Sequence, residues 1–172
     1  MKVVLVGYMA SGKSTVGQLL AKVLDAPFVD LDDYIEEEMG MSIGELFSKK
    51  GEIFFRKTEF QLLGKVLEES KDIILATGGG TPCYGNNMQT ISKNSNLSVY
   101  LHLSIPSLVD RISREKDKRP LVKNLKDENL PEFIGKHLFE RRSYYAQADV
   151  TINCDGKSIE EVVTEIQSHY SK

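Results

Sequence analysis

The stretch Gly7-Tyr8-Met9-Ala10-Ser11-Gly12-Lys13-Ser14 carries the spacing GxxxxGK[ST]. A β-branched-rich apolar run at residues 3–6 precedes it. After it, Val16, Leu19, Leu20, Val23 and Leu24 fall at i, i+3, i+4, i+7 and i+8, one apolar stripe of a helix. Strand, glycine loop and helix in that order make a cradle for phosphate. The glycines let the backbone curl so that successive N–H groups point at phosphate oxygens. The helix N-terminus adds partial positive charge. Lys13 is placed to reach the β- and γ-phosphates of a nucleotide, and Ser14 to offer its hydroxyl to Mg²⁺. Gly7, Ala10, Ser11, Gly12, Lys13, Ser14 and Thr15 are the candidate nucleotide-binding residues.

Outward from this loop, apolar runs recur at 28–29, 73–76, 97–103 and 150–152. They are mostly continuous rather than alternating, as in parallel strands buried on both faces. Helical periodicity returns at Ile159, Val162, Val163 and Ile166, and over 52–67. Ser42-x-x-Glu45 and Ser158-x-x-Glu161 read as capping boxes at helix starts. Strand–helix alternation predicts an α/β three-layer sandwich around a central parallel sheet of about five strands. Residues 1–172 fit one domain. Ligands of such sheets bind at the carboxyl ends of the strands. The segment 111–123, with six basic and two acidic residues, reads as a mobile basic loop.

Composition removes several function classes. A net charge of −3 argues against a nucleic-acid coat or a polybasic membrane anchor. No stretch approaches the ~20 apolar residues of a membrane span, and the N-terminus runs straight into the first motif with no leader pattern. The two cysteines, Cys83 and Cys154, lack metal-site spacing and read as free thiols of a reducing cytosol. A cytoplasmic location is expected.

Four further groups carry chemistry. Asp30 and Asp32 close the second strand; as i and i+2 they share a face if the segment is extended. One carboxylate then suits Mg²⁺ and the other a proton from an attacking hydroxyl; alternatively, Asp32 is a helix cap before Asp33-Tyr34-Ile35. Arg56 can grip a substrate carboxylate, or form a surface pair with Glu52 or Glu59. Gly78, Gly79 and Gly80 follow the third strand and allow close backbone approach to a ligand. Arg119, in the basic segment, can neutralise charge on a transferring phosphoryl group. Arg141 and Arg142 are adjacent on a later helix, so only one of them can face a site.

These pieces in this order resemble the shikimate kinase family over nearly the whole chain. The resemblance rests on the GKST loop, Asp30 and Asp32, the run Ser42-Ile43-Gly44-Glu45-Leu46-Phe47 with Gly51-Glu52, Phe55-Arg56 and Glu59, the glycine triplet, and Arg119-Pro120-Leu121. It implies a P-loop kinase fold with a lid at about 111–124 and a substrate-binding region at about 31–60. It implies transfer of phosphate from ATP to the 3-hydroxyl of shikimate with Mg²⁺, by a monomeric enzyme without nucleic-acid or membrane partners. Residue by residue, it implies Lys13, Asp32 and Arg119 as catalytic, and Ser14 and Asp30 at the metal. Shikimate falls to Asp32, Arg56, Gly78, Gly79, Gly80 and Arg141, with Glu59 holding Arg56. One or both of Arg111 and Arg114 would flank the adenine, together with a loop near 153–157. Leu31 stands where the family often has Thr. Arg141-Arg142-Ser143-Tyr144-Tyr145 lacks the usual proline, which leaves Arg141 against Arg142 open. A gluconate kinase of the same fold explains the Asp32, Arg56 and glycine set less well. A nucleotide switch lacks support, since no Asn-Lys-x-Asp occurs.

Overall fold

The computed structural model describes residues 1–170. Five strands, β1 (Lys2–Val6), β2 (Phe28–Asp30), β3 (Ile73–Ala76), β4 (Leu97–His102) and β5 (Val150–Asn153), form one sheet in the order β2-β3-β1-β4-β5. All neighbouring pairs are parallel. The helices that flank it are α1 (Lys13–Leu24), α2 (Leu31–Met39), α3 (Ile43–Lys50), α4 (Glu52–Glu69), α5 (Asn87–Asn94), α6 (Ile105–Arg114), α7 (Leu130–Tyr145) and α8 (Ile159–Tyr170). This is the expected α/β sandwich.

The strand order explains the sequence pattern. β1 lies at the centre, and Val3, Val4, Leu5 and Val6 are fully buried. A strand covered on both faces has no solvent side, so its apolar run does not alternate. Strand order reverses between β1 and its two neighbours, β3 and β4. The crevice at such a switch point opens above the β1 carboxyl end, where the glycine loop begins.

Both capping boxes form. Ser42 accepts from the Glu45 N–H while Glu45 accepts from the Ser42 N–H, at the start of α3. Ser158 and Glu161 do the same before α8. Leu31, between the two aspartates, is fully buried and faces away from the crevice.

The basic segment 111–123 is not a loop throughout. Arg111 and Arg114 lie in the last turn of α6. Ser104 caps that helix, Pro106 sits in its first turn, and Leu108 and Ile112 form its buried side. Only two buried residues at i and i+4 anchor the helix, so the charges masked its period. Beyond it, Lys116–Lys118 form a 3₁₀ turn, and Val122 is fully buried, pinning the segment to the core.

Candidate active site

The phosphate loop takes its shape from three left-handed or near-left-handed residues: Gly7 (φ +149°), Ala10 (φ +62°) and Gly12 (φ +93°). Ala10 carries a side chain where glycine is favoured. Its carbonyl accepts from Arg111 Nη1 at 3.2 Å, which braces the turn. The first turn of α1 has neither a side-chain cap nor an acidic residue. Its amides therefore face the crevice with no acidic side chain of their own turn competing for them.

Lys13 is 8% exposed and donates to the carbonyls of Gly7 and Tyr8, both at 2.9 Å. Burial pushes its ammonium down to about 8, opposed by the nearby Asp32 and Asp30 carboxylates. The Ser14 hydroxyl donates to Asp30 Oδ2 at 2.6 Å. Asp30 Oδ1 accepts from the Asp32 N–H at 3.1 Å. Asp30, not Asp32, is thus the cap of α2. The helix starts at Leu31, so strand alternation is not what brings the two carboxylates together. The cap on Asp30 leaves the Asp32 carboxylate turned into the crevice. Burial, then Asp30 and Glu59, push Asp32 up to about 6.

A cleft of about 590 Å³ lies over the loop. Ala10, Gly12, Lys13, Ser14 and Thr15 line it from below, with Asp30, Asp32, Gly78 and Gly79 at one side. Arg111, Arg114, Glu115 and Arg119 line the other. Arg119 is paired with Glu115 at 2.6 Å. Gly7 and Ser11 do not line the cleft. They shape the loop from behind: a Cβ on Gly7 would meet the Leu101 carbonyl at 2.9 Å and Ser11 Oγ at 3.0 Å. The segment 153–157 does not line it either; Asp155 instead accepts from the Ser104 N–H and hydroxyl.

Arg56, Gly80 and Arg141 also lie outside the cleft lining, yet the glycine triplet ties them to it. A Cβ on Gly78 would stand 2.8 Å from Asp32 Oδ1. One on Gly79 would stand 3.2 Å from the Met9 nitrogen and 3.8 Å from Arg141 Nη1. One on Gly80 would stand 2.9 Å from Arg56 Nη2. Gly78 and Gly80 make room for Asp32 and Arg56, while at Gly79 the tight neighbour is the Met9 nitrogen and Arg141 lies at ordinary contact distance. None of the three has a positive φ, so close approach, and not backbone freedom, is what requires them.

Arg56 is no surface pair. Its Nη1 donates to Glu59 Oε2 at 2.8 Å, and Glu59 is 1% exposed. Glu59 also accepts from the Thr81 hydroxyl at 2.7 Å. The guanidinium lies 3.7 Å from the centre of the Tyr84 ring, a stacked cation on an aromatic face. Arg141 is half-buried and turned to Gly79, while Arg142 is exposed. The Tyr145 hydroxyl donates to the Gly79 carbonyl at 2.6 Å. Thr77, Thr81, Tyr84, Glu115 and Tyr145 escaped the sequence reading. Only Tyr145, beside the arginine pair, had a signal in its spacing.

Among the described residues, no cluster of three or more His, Cys, Asp or Glu side chains is arranged to hold a metal. Ser14 and Asp30 supply two adjoining hard oxygens in the cleft. That set suits Mg²⁺, which keeps waters and phosphate oxygens for most of its shell.

A shikimate kinase family model matches residues 9–171. The shikimate kinase of Flavobacterium psychrophilum is 47% identical over 165 residues, covering 96% of each chain. The chain belongs to the shikimate kinase family. A Bacteroides thetaiotaomicron shikimate kinase structure superposes with a TM-score of 0.92 at 35% identity, covering 100% of this chain and 99% of that one. An Acinetobacter baumannii shikimate kinase solved with shikimate superposes at 0.86, with 32% identity and 98% and 92% coverage. The five-stranded parallel sheet with its glycine loop is accordingly the P-loop kinase fold. Membership of the shikimate kinase family makes the chain an ATP-using transferase, in keeping with the phosphate cradle over Lys13. Among the described residues, no helix is long and apolar enough to cross a membrane.

Proposed function

We propose that this chain moves the γ-phosphoryl group of ATP to the 3-hydroxyl of shikimate, giving shikimate 3-phosphate and ADP on the way to the aromatic amino acids. The observation that carries the reading is the glycine triplet. It sets one carboxylate and two guanidiniums beside the phosphate cleft, at Gly78, Gly80 and Gly79. Shikimate is a small hydroxylated carboxylate, and those three side chains match its two chemistries. Arg56 and Arg141 clamp the carboxylate, which two arginines do with fixed geometry. Glu59 and Tyr84 hold Arg56 in place.

ATP lies with its phosphates over the loop, its β- and γ-oxygens at Lys13 and the α1 amides. Ser14 and Asp30 would hold Mg²⁺, which would supply positive charge to the phosphate oxygens. The 3-hydroxyl oxygen attacks the γ-phosphorus in line. The bond to the β–γ bridging oxygen breaks and ADP leaves. The hydroxyl proton passes to Asp32, which orients that hydroxyl throughout. Arg119 leaves Glu115 for the transferring group as the part of the lid beyond α6, hinged about the buried Val122, closes over the cleft and excludes water. The core, a substrate region at about 31–60 and the lid make one domain of 1–172, working as a cytoplasmic monomer.

The direct test is ADP release with shikimate and gluconate side by side. Shikimate turns over faster; faster turnover with gluconate defeats the reading. A second outcome concerns Arg56→Ala. Its KM for shikimate rises roughly a hundredfold, on the scale of a lost charge-assisted contact, while its KM for ATP stays nearly unchanged. Equal rises in both constants count against a carboxylate role.

The pH profile supplies a third. With Asp32 pushed up to about 6, the base is protonated below that pH and ionised above it. kcat/KM for shikimate reports the free enzyme, so it climbs as pH rises through about 6. A profile flat between pH 5 and 7 removes Asp32 from the proton path.

A further inference from the structure

Tyr8 and His137 form a partly buried polar pair that the reaction steps above leave unused. Tyr8 is the second residue of the phosphate loop and is 1% exposed. Its hydroxyl lies 2.8 Å from His137 Nδ1, with the two rings edge to face at 5.4 Å. Loop and helix are 129 residues apart in sequence at this contact.

Tyr8 is also attached to the chemistry through its backbone. Its carbonyl accepts from Lys13 Nζ at 2.9 Å and from the Ser11 N–H at 3.2 Å. A Cβ on Gly79 would sit 3.7 Å from the Tyr8 carbonyl carbon. His137 and Arg141 are i and i+4 on α7, one turn apart on the same face. The same helix donates the Tyr145 hydroxyl to the Gly79 carbonyl. A closed circuit therefore runs from Tyr8 through His137 along α7 to Arg141 and Tyr145, across Gly79, and back to the loop. The Phe133 ring packs against the imidazole as well, with ring centres 5.4 Å apart.

We propose that the Tyr8–His137 hydrogen bond is a positioning contact that fixes Arg141 at its distance from the phosphate loop. It sets where the acceptor's carboxylate is held relative to Lys13. The inference rests on the reading of Arg141 as a shikimate carboxylate residue and goes one step behind it. His137 itself touches neither substrate. Burial and the Arg141 charge hold the imidazole below its ordinary range, so it is neutral at pH 7.5. Burial also holds the Tyr8 phenol up, in its protonated form. The phenol and Nδ1 then share one neutral hydrogen bond, whose direction follows the imidazole tautomer.

The test measures both Michaelis constants for Tyr8→Phe, His137→Leu, His137→Asn, the Tyr8→Phe/His137→Leu double variant and Arg141→Gln. Tyr8→Phe removes one oxygen and keeps the ring, so it reports the bond without a cavity. Tyr8→Phe and His137→Leu each raise the KM for shikimate by about three- to tenfold, the scale of one neutral hydrogen bond. The KM for ATP stays within about twofold. The double variant is no worse than the poorer single one, since both remove the same contact. His137→Asn, whose Oδ1 stands where Nδ1 stood, stays within about twofold of the parent. Additive losses, or equal rises in both constants, overturn the proposal. If Arg141→Gln raises the KM for shikimate while Tyr8→Phe leaves it alone, positioning fails and the reading of Arg141 stands. If Arg141→Gln also leaves it alone, the carboxylate reading itself fails and takes the proposal with it.

Discussion

Replacing Lys13 by alanine lowers turnover by roughly a thousandfold, about 4 kcal/mol of lost transition-state stabilisation. The size follows from where the ammonium sits. It is nearly buried and already desolvated, as its depression to about 8 records. Charge placed in a dry site before the reaction acts on the migrating phosphoryl group without screening or reorganisation. The ammonium's two present partners are the carbonyls of Gly7 and Tyr8. These are neutral dipoles, weaker than the phosphate oxygens that compete for it once ATP arrives. Alanine also leaves both carbonyls without this donor, so loop geometry is a rival explanation. Lys13→Met separates the two. It keeps the stem and its packing, loses the charge, and suffers the same fall in kcat. Single-turnover measurements with saturating ATP and shikimate give that number directly. Near-normal turnover in either variant refutes the assignment of the loop.

The sequence announces this half of the site because its parts are contiguous. Strand, glycines, lysine and helix occupy residues 2–24, and local geometry alone makes them a phosphate cradle. The three central strands are legible for a similar reason: burial on both faces leaves unbroken apolar runs, whereas β2 is half-buried and β5 has exposed positions. The proposed acceptor half is spread over α4, the turn after β3 and α7, and its logic lies in contacts between them. Arg56 next to Glu59 looks like a surface pair until Thr81 and Tyr84 are folded over it. Asp30 looks like half of a strand-borne carboxylate pair until its hydrogen bond to the Asp32 N–H makes it a cap. The last turn of α6 looked like loop because its anchoring needs only Leu108 and Ile112. Family resemblance singled out Arg56, Arg141 and the glycines where period and spacing left them open; the structure gathers these residues at the triplet, and their part in holding an acceptor is what we propose.

Replacing Asp32 by asparagine has two opposite effects. Turnover falls by roughly 10²- to 10⁴-fold, the range for losing a positioned general base. Thermal stability at pH 7.5 rises. The sign follows from linkage. Asp32 stands at about 6 in the folded chain against an ordinary 3.8, because burial and the neighbouring Asp30 and Glu59 oppose its charge. Between those two pH values the folded state holds the proton more tightly than the unfolded state. The stability contributed by the protonated carboxyl is therefore fully present below about 3.8 and is lost as pH rises through about 6. Above that, the ionised carboxylate is a standing cost, with a ceiling of roughly 3 kcal/mol for a gap of this size. Asparagine has nearly the same shape and no charge, so it escapes the cost. Melting curves for the two proteins separate at pH 7.5 and converge near pH 4. An asparagine variant that is inactive and also less stable at pH 7.5 would mean the carboxylate is held by favourable contacts, and its lifted pKa would lose its physical basis. An asparagine variant that is more stable and still fully active would leave Asp32 as an unrewarded charge in the cleft and send the search for the proton acceptor elsewhere. Loss of activity together with gain in stability is the signature of a carboxylate kept against the interest of the fold, for the sake of the hydroxyl it receives.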